Sequence, residues 1–236
     1  MVSEQDDIPP FADRAAAGRQ LTRYLEAKRD RDPAFRPDLV LAIPRGGVAV
    51  AAPIATALGL PLDVLVARKV GAPLQPELAI GAVTRFGEVW NQEVIDSLQL
   101  SRTEVAAALA QAERELGKRE KRLRAARPAQ PIVGHSILLV DDGWATGATA
   151  AAAVQGLLRA GAAKVIAATP VAAPDAVERL RAMGAETVVL VTPTNPRALG
   201  EFYRLFFPIT TDACIELLIA DGPRTPRSRL RNPSST

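Results

Sequence analysis

Short apolar runs alternate along the chain with stretches in which apolar residues recur at helical spacing. Runs rich in β-branched residues and leucine predict strands, because strands buried on both faces of a parallel sheet lack polar alternation. Spacings of three and four residues predict amphipathic helices. Strands are expected at residues 38–43, 61–67, 137–140, 164–169 and 186–191, and helices at residues 11–28, 48–58, 101–126, 150–160 and 174–183. This order predicts an α/β fold with a mostly parallel, twisted sheet flanked by helices.

The two ends of the chain lack this pattern. Residues 1–10 are polar and end in two prolines, which predicts a flexible arm. Residues 220–236 are rich in proline, arginine and serine, which predicts a disordered basic tail. Residues 11–219 are therefore expected to form a single domain, and 236 residues are ample for one hydrophobic core.

Composition excludes several classes of protein. Charged residues make up 23% and hydrophobic residues 48%, as in ordinary soluble proteins, and the net charge of +3 is too small to indicate a nucleic-acid partner. One cysteine, Cys214, and one histidine, His135, leave neither an internal disulfide nor a structural zinc site. The sequence shows no charged-then-apolar leader and no apolar run of about 18 residues. A reducing cytoplasm is the expected location, without a membrane.

The stretch from Ile137 to Thr149, ILLVDDGWATGAT, combines a buried strand with a loop of small residues that leads into a helix. The first N–H groups of a helix and the positive end of its dipole form an anion site. Gly147 lets the backbone approach a ligand closely, and Thr146 adds a hydroxyl donor, as does Thr149. The pattern predicts a binding site for one phosphate group.

Asp141 and Asp142 stand between that strand and that loop. Two adjacent carboxylates suit a ribose diol or a hydrated Mg²⁺ ion. A ligand with a phosphate beside a sugar diol would satisfy both halves of the stretch. The simpler interpretation, in which Asp142 caps the helix, leaves Asp141 and both threonines without a role.

Two further turns carry cations or glycines. The residues Pro44-Arg45-Gly46-Gly47 follow the first predicted strand, and Arg68-Lys69 end the second. Gly46 and Gly47 permit close backbone approach, while Arg45 offers a fork of donors for an anion. A structural turn with solvent-facing cations is the alternative. Because parallel strands end at one edge of a sheet, these turns are expected to meet the acidic loop there.

These motifs together resemble a known family. Four apolar residues, two acids and a Thr/Gly-rich loop at 137–149 resemble the phosphoribosyl diphosphate (PRPP) signature of type I phosphoribosyltransferases. PRGG at 44–47 resembles their pyrophosphate loop, and RKVGAP at 68–73 resembles the basic turn of the adenine-type members. The resemblance covers residues 11–219, and FADRAAAGRQL at 11–21 resembles a bacterial subgroup whose acceptor is unsettled.

The resemblance implies transfer of the 5-phosphoribosyl group of PRPP to a nitrogenous acceptor, with release of pyrophosphate. It implies a Mg²⁺ cofactor that is bound through PRPP and has no direct protein ligand. The ion is then held by PRPP alone, or it is also bridged by water to Asp141 and Asp142. A homodimer is the family expectation. The implied roles are catalysis by Arg68, Lys69, Asp141 and Asp142; ribose and 5′-phosphate binding by Asp141, Asp142, Gly143, Ala145, Thr146, Gly147, Ala148 and Thr149; and pyrophosphate binding by Arg45, Gly46, Gly47, Arg68 and Lys69.

The resemblance also assigns two variable segments. Residues 74–93, with a hairpin expected around Arg85-Phe86-Gly87, correspond to a mobile flap, in which Glu77 either acts on the acceptor or is an exposed loop carboxylate. Residues 192–219 correspond to a hood over the acceptor, with Asp212 expected to cap a short helix. The aromatic residues there either stack on the acceptor or belong to the core; they are Phe202, Tyr203, Phe206 and Phe207.

Two residues depart from the family pattern. Trp144 stands where an aliphatic residue is usual, so that it either narrows the site or fills core. Ala145 stands where hypoxanthine–guanine enzymes carry an aspartate, which argues against a 6-oxopurine acceptor.

Two helices carry arginines whose roles the sequence leaves open. Arg14, Arg19 and Arg23 in the first helix are expected to form a solvated face. The inserted long helix at 101–127 is expected to begin with a Ser101–Glu104 capping box and to be basic in its C-terminal half, as suits the helix dipole. Without interleaved aromatics, this half favours a solvated face over an RNA surface. Two other functions remain open: a PRPP-sensing regulator with weak or no catalysis, and a binding module for another sugar phosphate.

Overall fold

The computed structural model describes residues 11–194 and 198–222. The helices are α1 (Arg14–Arg31), α2 (Gly46–Leu58), α3 (Gln92–Ser97), α4 (Arg102–Ala126), α5 (Ala148–Arg159), α6 (Pro174–Ala182) and α7 (Thr211–Ala220), with a short 3-10 helix at Leu199–Phe202. The strands are β1 (Leu39–Ala42), β2 (Leu62–Val64), β3 (Ala67–Ala72), β4 (Gln75–Thr84), β5 (Gly87–Trp90), β6 (Ser136–Val140), β7 (Lys164–Val171) and β8 (Glu186–Val191).

The main sheet has five parallel strands in the order β2-β1-β6-β7-β8. Alternate residues of one strand enter two different apolar clusters. In β6, Leu138 packs with residues of α1 and α2, whereas Leu139 packs with residues of α5 and α6. Helices therefore cover both faces, which explains why β1 and β6 are fully buried and, apart from Ser136, apolar. The predicted α/β fold is confirmed.

Strands β3, β4 and β5 form a separate antiparallel ribbon that packs against α4 and α5. The hairpin predicted around residues 85–87 is confirmed by the pairing of β4 with β5. The expectation of one strand over residues 61–67 is wrong, because the main-sheet strand ends at Val64 and Ala67 begins β3. Arg68 and Lys69 therefore lie inside β3, opposite Val83 and Ala82, and not at the edge of the parallel sheet.

Helix α4 begins at the predicted capping box, with Ser101 and Glu104 bonded reciprocally. Three arginines at its basic end bind partners on other elements. Arg122 pairs with Asp212 at 2.7 Å, Arg124 pairs with the buried Asp63 at 2.6 Å, and Arg127 donates to the carbonyl of Leu218. Much of the positive charge that suggested a solvated face is thus bound within the fold.

The C-terminal segment packs back onto the start of the chain. Tyr203 forms a parallel bridge with Phe11, and both rings are buried. The expected cap of α7 is wrong: Thr210 accepts from the N–H of Ala213, and Asp212 instead pairs with Arg122. Parts of three predicted segments, at residues 1–10, 195–197 and 223–236, lie outside the described residues.

The described end of the chain belongs to the folded part. Ala220 is the last residue of α7, and Asp221 accepts a hydrogen bond from the backbone N–H of Leu62. None of the helices within residues 11–194 and 198–222 has the length and apolar content of a bilayer-spanning segment.

Candidate functional site

The acidic pair and the phosphate loop lie between β6 and α5. Helix α5 begins at Ala148, two residues before the predicted start, and is preceded by Gly147 in the left-handed conformation with φ of 70°. The N-cap residue Gly147 has no side chain to cap this N-terminus, and only the N–H of Ala148 donates to a neighbouring side chain, the Thr146 hydroxyl at 3.4 Å. Ala145 and Thr146 are exposed beside it. The first turn therefore presents backbone N–H groups and the positive helix end to solvent, as an anion site requires.

The PRGG turn and the acidic pair are in direct contact. A Cβ atom at Gly46 would overlap the carboxylate of Asp142. A Cβ atom at Gly47 would lie 2.7 Å from the carbonyl oxygen of Val140 and 3.0 Å from the Cα of Asp141. The two glycines thus give the β1–α2 turn room to pack against the β6–α5 loop, so that two of the expected turns form one site.

Asp142 is held by residues from both ends of the domain. The Nε of Arg14 donates to its Oδ2 at 2.6 Å, and the hydroxyl of Tyr203 donates to its backbone carbonyl at 2.5 Å. Arg14 also donates to the carbonyl of Phe207 at 2.9 Å, and its guanidinium lies 3.7 Å from the centre of the Phe206 ring. Residues 202–207, which we call the aromatic segment, are therefore joined to the acidic pair through one arginine.

This arrangement corrects the expectation for the first helix. Arg19 and Arg23 are exposed as predicted, but the Arg14 side chain is only 11% exposed and pairs with Asp142. The sequence offered no distinguishing signal, because all three arginines lie on one helix and only the partner 128 residues away separates them.

The surroundings of the acidic pair shift the pKa values of nearby acidic groups. Burial, followed by the nearby charge of Asp142, raises the pKa of Asp141 well above its ordinary value. The backbone N–H of Asp142 donates to Asp141 Oδ1 at 2.9 Å and partly opposes this shift. Burial and the charge of Asp142 also raise the pKa of Tyr203, which keeps its hydroxyl a donor. Added positive charge beside Asp141 would favour its ionised form.

A cleft of about 690 Å³ opens between β3, the start of β4, and α4. Pro44 of the PRGG turn and Thr149 of α5 reach its wall, as do Arg68 and Lys69. Both cations are paired across it: Arg68 forms an ion pair with Glu115, and Lys69 Nζ lies 3.0 Å from Glu77 Oε2. The Glu77 side chain is almost fully exposed, as the simpler interpretation predicted, but the residue lies in β4 and not in a loop.

The remaining pyrophosphate candidate, Arg45, precedes α2 and is exposed, and the Pro44–Arg45 peptide bond is cis. A residue absent from the sequence-based assignment, Arg119 of α4, also lines the cleft. In the sequence, Arg119 was one cation in a basic run. The one feature that could have distinguished it is its helical spacing from Ala112 and Leu116, which places it on the same face of α4 as these buried residues.

A model of the phosphoribosyl transferase domain matches residues 13–189. The chain belongs to this family. Two Mycobacterium tuberculosis proteins, from strains CDC 1551 and H37Rv, are described as phosphoribosyl transferases of unsettled function, and each is 42% identical over 213 residues. That match covers 88% of this chain and 46% of each relative, so the chain spans about half the length of the curated relatives it matches.

A crystal structure of the protein TT1426 from Thermus thermophilus is similar over most of both chains. The sequences are 38% identical, the TM-score is 0.75, and the match covers 89% of this chain and 98% of that one. Together with the family match over residues 13–189 and the five-stranded parallel sheet, this similarity confirms the type I phosphoribosyltransferase fold expected from the motifs.

Within this phosphoribosyltransferase domain, Trp144 fills core. Its side chain is 2% exposed, packs in the apolar cluster of α5 and α6, and forms a bridge with Ala172. In the described part of the chain, no group of three or more carboxylate, histidine or cysteine side chains is arranged to hold a metal ion. The adjacent acids Asp141 and Asp142 are chemically suited to receive metal-bound water or ribose hydroxyls.

Proposed function

We propose that this domain transfers the 5-phosphoribosyl group of PRPP to a nitrogenous acceptor and releases pyrophosphate. The observation that carries the proposal is the contact of the PRGG turn with the acidic pair at the start of α5, through Gly46 and Gly47. This contact joins an anion-binding helix end, two carboxylates and a glycine turn around one point. PRPP presents a phosphate, a ribose diol and a pyrophosphate in that order.

In this proposal, the ribose and 5′-phosphate bind on the α5 side. Residues 143–149, with Ala145, Thr146, Gly147, Ala148 and Thr149 as the phosphate loop, hold the 5′-phosphate at the helix N-terminus. Asp141 and Asp142 accept hydrogen bonds from the diol. As the bond at C1 breaks, positive charge develops on the sugar, and the two carboxylates stabilise it.

The pyrophosphate binds on the other side, against Arg45, Gly46, Gly47, Arg68 and Lys69. The C1–O bond breaks with its electron pair on the departing pyrophosphate, whose growing charge the cations stabilise. The lone pair of the acceptor nitrogen forms the new C1–N bond, and the nitrogen's proton passes to solvent. Since positioning and electrostatics suffice, no covalent intermediate is needed. Arg68 and Lys69 must exchange Glu115 and Glu77 for the ligand.

Mg²⁺ is proposed as the cofactor. When bound with PRPP, it supplies positive charge to the departing pyrophosphate. Asp141 and Asp142 would orient its water ligands, and that positive charge would favour the ionised form of Asp141.

The acceptor is proposed to lie beneath residues 192–219, next to the Arg14–Asp142 pair. Ala145 argues against a 6-oxopurine, which leaves adenine-type bases and other nitrogen nucleophiles. Movement of the ribbon at residues 74–93, a homodimeric state and a cytoplasmic location remain predictions.

Isothermal titration of the protein with PRPP, with and without Mg²⁺, tests the proposal, and ribose 5-phosphate serves as the control ligand. We expect Mg²⁺-dependent binding of PRPP that exceeds binding of ribose 5-phosphate by about tenfold or more, because the pyrophosphate adds charge-assisted contacts. Equal affinity for both ligands would favour a sugar-phosphate binding module.

A second measurement separates catalysis from sensing. Purines, pyrimidines and amines are screened in the presence of PRPP and Mg²⁺ for pyrophosphate release above hydrolysis. PRPP binding without turnover for any acceptor, together with a salt-sensitive shift of labelled DNA or RNA, would favour the regulatory alternative. The internal pairing of Arg122, Arg124 and Arg127 argues against that outcome.

A further inference from the structure

Two arginines from separate elements line the cleft, and a third follows Pro44 of its wall in the chain. Arg119 comes from α4, Arg68 from β3, and Arg45 from the turn before α2. Burial, followed by the positive charges of Arg68 and then Arg45, lowers the pKa of Arg119. Arg119 and Arg68 both line the cleft, as does Pro44, which adjoins Arg45. Like charges gathered in a partly desolvated place are unfavourable unless an anion balances them.

The carboxylates that line the cleft are engaged with other partners: Glu77 pairs with Lys69, Glu104 bonds with Ser101 in the capping box, and Glu115 pairs with Arg68. Arg68 pairs with Glu115, whose side chain is 39% exposed and stands on α4 one turn before Arg119. Among residues 11–194 and 198–222, Arg119 and Arg45 have no carboxylate within ion-pair distance. The arginines that follow Arg119 in α4 differ from it, because Arg122 and Arg124 are paired with acids outside the cleft. Arg119 is thus half-buried, directed at the cleft, and short of negative charge.

We propose that Arg119 contributes a third guanidinium to the pyrophosphate site, beside those of Arg45 and Arg68. Glu115 is the displaceable counter-ion of this site, because it pairs with Arg68 until the ligand binds. This inference rests on the proposed function, since it assigns the anion to that reaction. Pyrophosphate carries several charges on two phosphoryl groups, so it can contact guanidiniums that approach from α4 and from β3. A single phosphate group is smaller and extends over less of the gap between the guanidiniums of α4 and β3. Helix α4 therefore contributes to substrate binding as well as to packing.

The test compares four variants by titration with inorganic pyrophosphate, PRPP and ribose 5-phosphate in the presence of Mg²⁺. Arg119→Gln should weaken pyrophosphate and PRPP binding about tenfold or more, because a charge-assisted contact is lost, and should leave ribose 5-phosphate unchanged. Arg119→Lys should restore part of the affinity, since it keeps the charge without the fork. Arg122→Gln, on the same helix but paired with Asp212, is the matched control and should bind as wild type does.

Glu115→Gln gives the result that a purely structural role would not. Removal of the counter-ion should strengthen pyrophosphate binding several-fold, about the range of a modest charge interaction, and should steepen its dependence on salt. The Kd values of Arg119→Gln and Glu115→Gln should therefore move in opposite directions, with Tm values recorded to show that both variants fold.

Several outcomes overturn the inference. One is an Arg119→Gln variant with wild-type affinity for pyrophosphate, or one that loses ribose 5-phosphate equally. Another is a Glu115→Gln variant that binds more weakly than wild type. If wild type binds PRPP but the variants give any of these contrary results, the proposed function stands, and the role of Arg119 and Glu115 in pyrophosphate binding is wrong. If wild type binds neither PRPP nor pyrophosphate, the proposed function itself fails, and this inference with it.

Discussion

Gly46 lies directly against the carboxylate of Asp142, so closely that a methyl group at residue 46 would overlap its Oδ2 atom. The two residues belong to turns at the ends of neighbouring parallel strands, β1 and β6. Absence of a side chain at residue 46 therefore fixes the distance between the proposed pyrophosphate turn and the proposed ribose-binding acids. Glycine is needed here for close approach.

Gly46→Ala tests this contact. The new methyl group must displace Asp142 and disturb its pair with Arg14, so we expect a loss of about 1–3 kcal/mol of unfolding free energy, the usual cost of overpacking. PRPP affinity should fall as well. Urea unfolding and titration measure the two effects. Gly117→Ala is the matched control, because Gly117 lies within α4 with open space around it. That change should stabilise the protein by about 0.5–1 kcal/mol.

Arg14→Gln tests the link between the aromatic segment and the acidic pair. Loss of the guanidinium leaves Asp142 without its ion pair and removes the contact with Phe206, so we expect the free energy of unfolding to fall by about 1–3 kcal/mol. A double-mutant cycle with Asp142→Asn should show a coupling energy between residues 14 and 142. Arg19→Gln, exposed on the same helix, should change stability by less than about 0.5 kcal/mol. Additive effects of the two changes would contradict the pairing.

Asp141→Asn tests the raised pKa of Asp141. Because the pKa of Asp141 is raised in the folded state, its contribution to stability is complete below the unfolded pKa and is lost as pH rises through the folded pKa. The amide cannot ionise, so the variant should be more stable than wild type at neutral pH by on the order of 1 kcal/mol. That advantage should shrink toward acidic pH. PRPP binding should weaken at the same time.

Unfolding by urea at several pH values between acidic and neutral measures the Asp141→Asn difference. Asp30→Asn, at an exposed position of α1, is the control for loss of a carboxylate. A stability difference for Asp141→Asn that does not change with pH would show that the carboxyl group is ionised to the same extent in folded and unfolded chains.

Tyr203→Phe tests the hydroxyl that donates to the carbonyl of Asp142. The ring still packs against Phe11 and Phe206, so only the hydrogen bond is removed and a partly buried acceptor loses its donor. We expect destabilisation of about 1–2 kcal/mol. Thermal unfolding measures it, with Tyr24→Phe as the control because Tyr24 is 52% exposed. Equal Tm values for both variants would exclude a structural role for the Tyr203 hydroxyl.

The sequence by itself determined the elements and the core of the candidate site. Apolar runs identified β1 and β6, and the order of strand, two acids and small-residue loop identified the start of α5. These signals lie between residues close in the chain. The same local logic placed the capping box of α4 at Ser101 and Glu104. It failed at Arg68 and Lys69, where a run of apolar residues hid the passage from the parallel sheet to the antiparallel ribbon.

Only the tertiary structure decided which charged residues belong to the site. Arg14, Arg19 and Arg23 look alike along a helix, as do Arg119 and Arg122, since helical spacing defines a face but not what lies opposite it. The difference between them is a contact with an element far away in sequence: Asp142 for Arg14, the cleft for Arg119, and Asp212 for Arg122. The energy of a charged side chain depends on its partners and on its burial, and both are set when the chain folds.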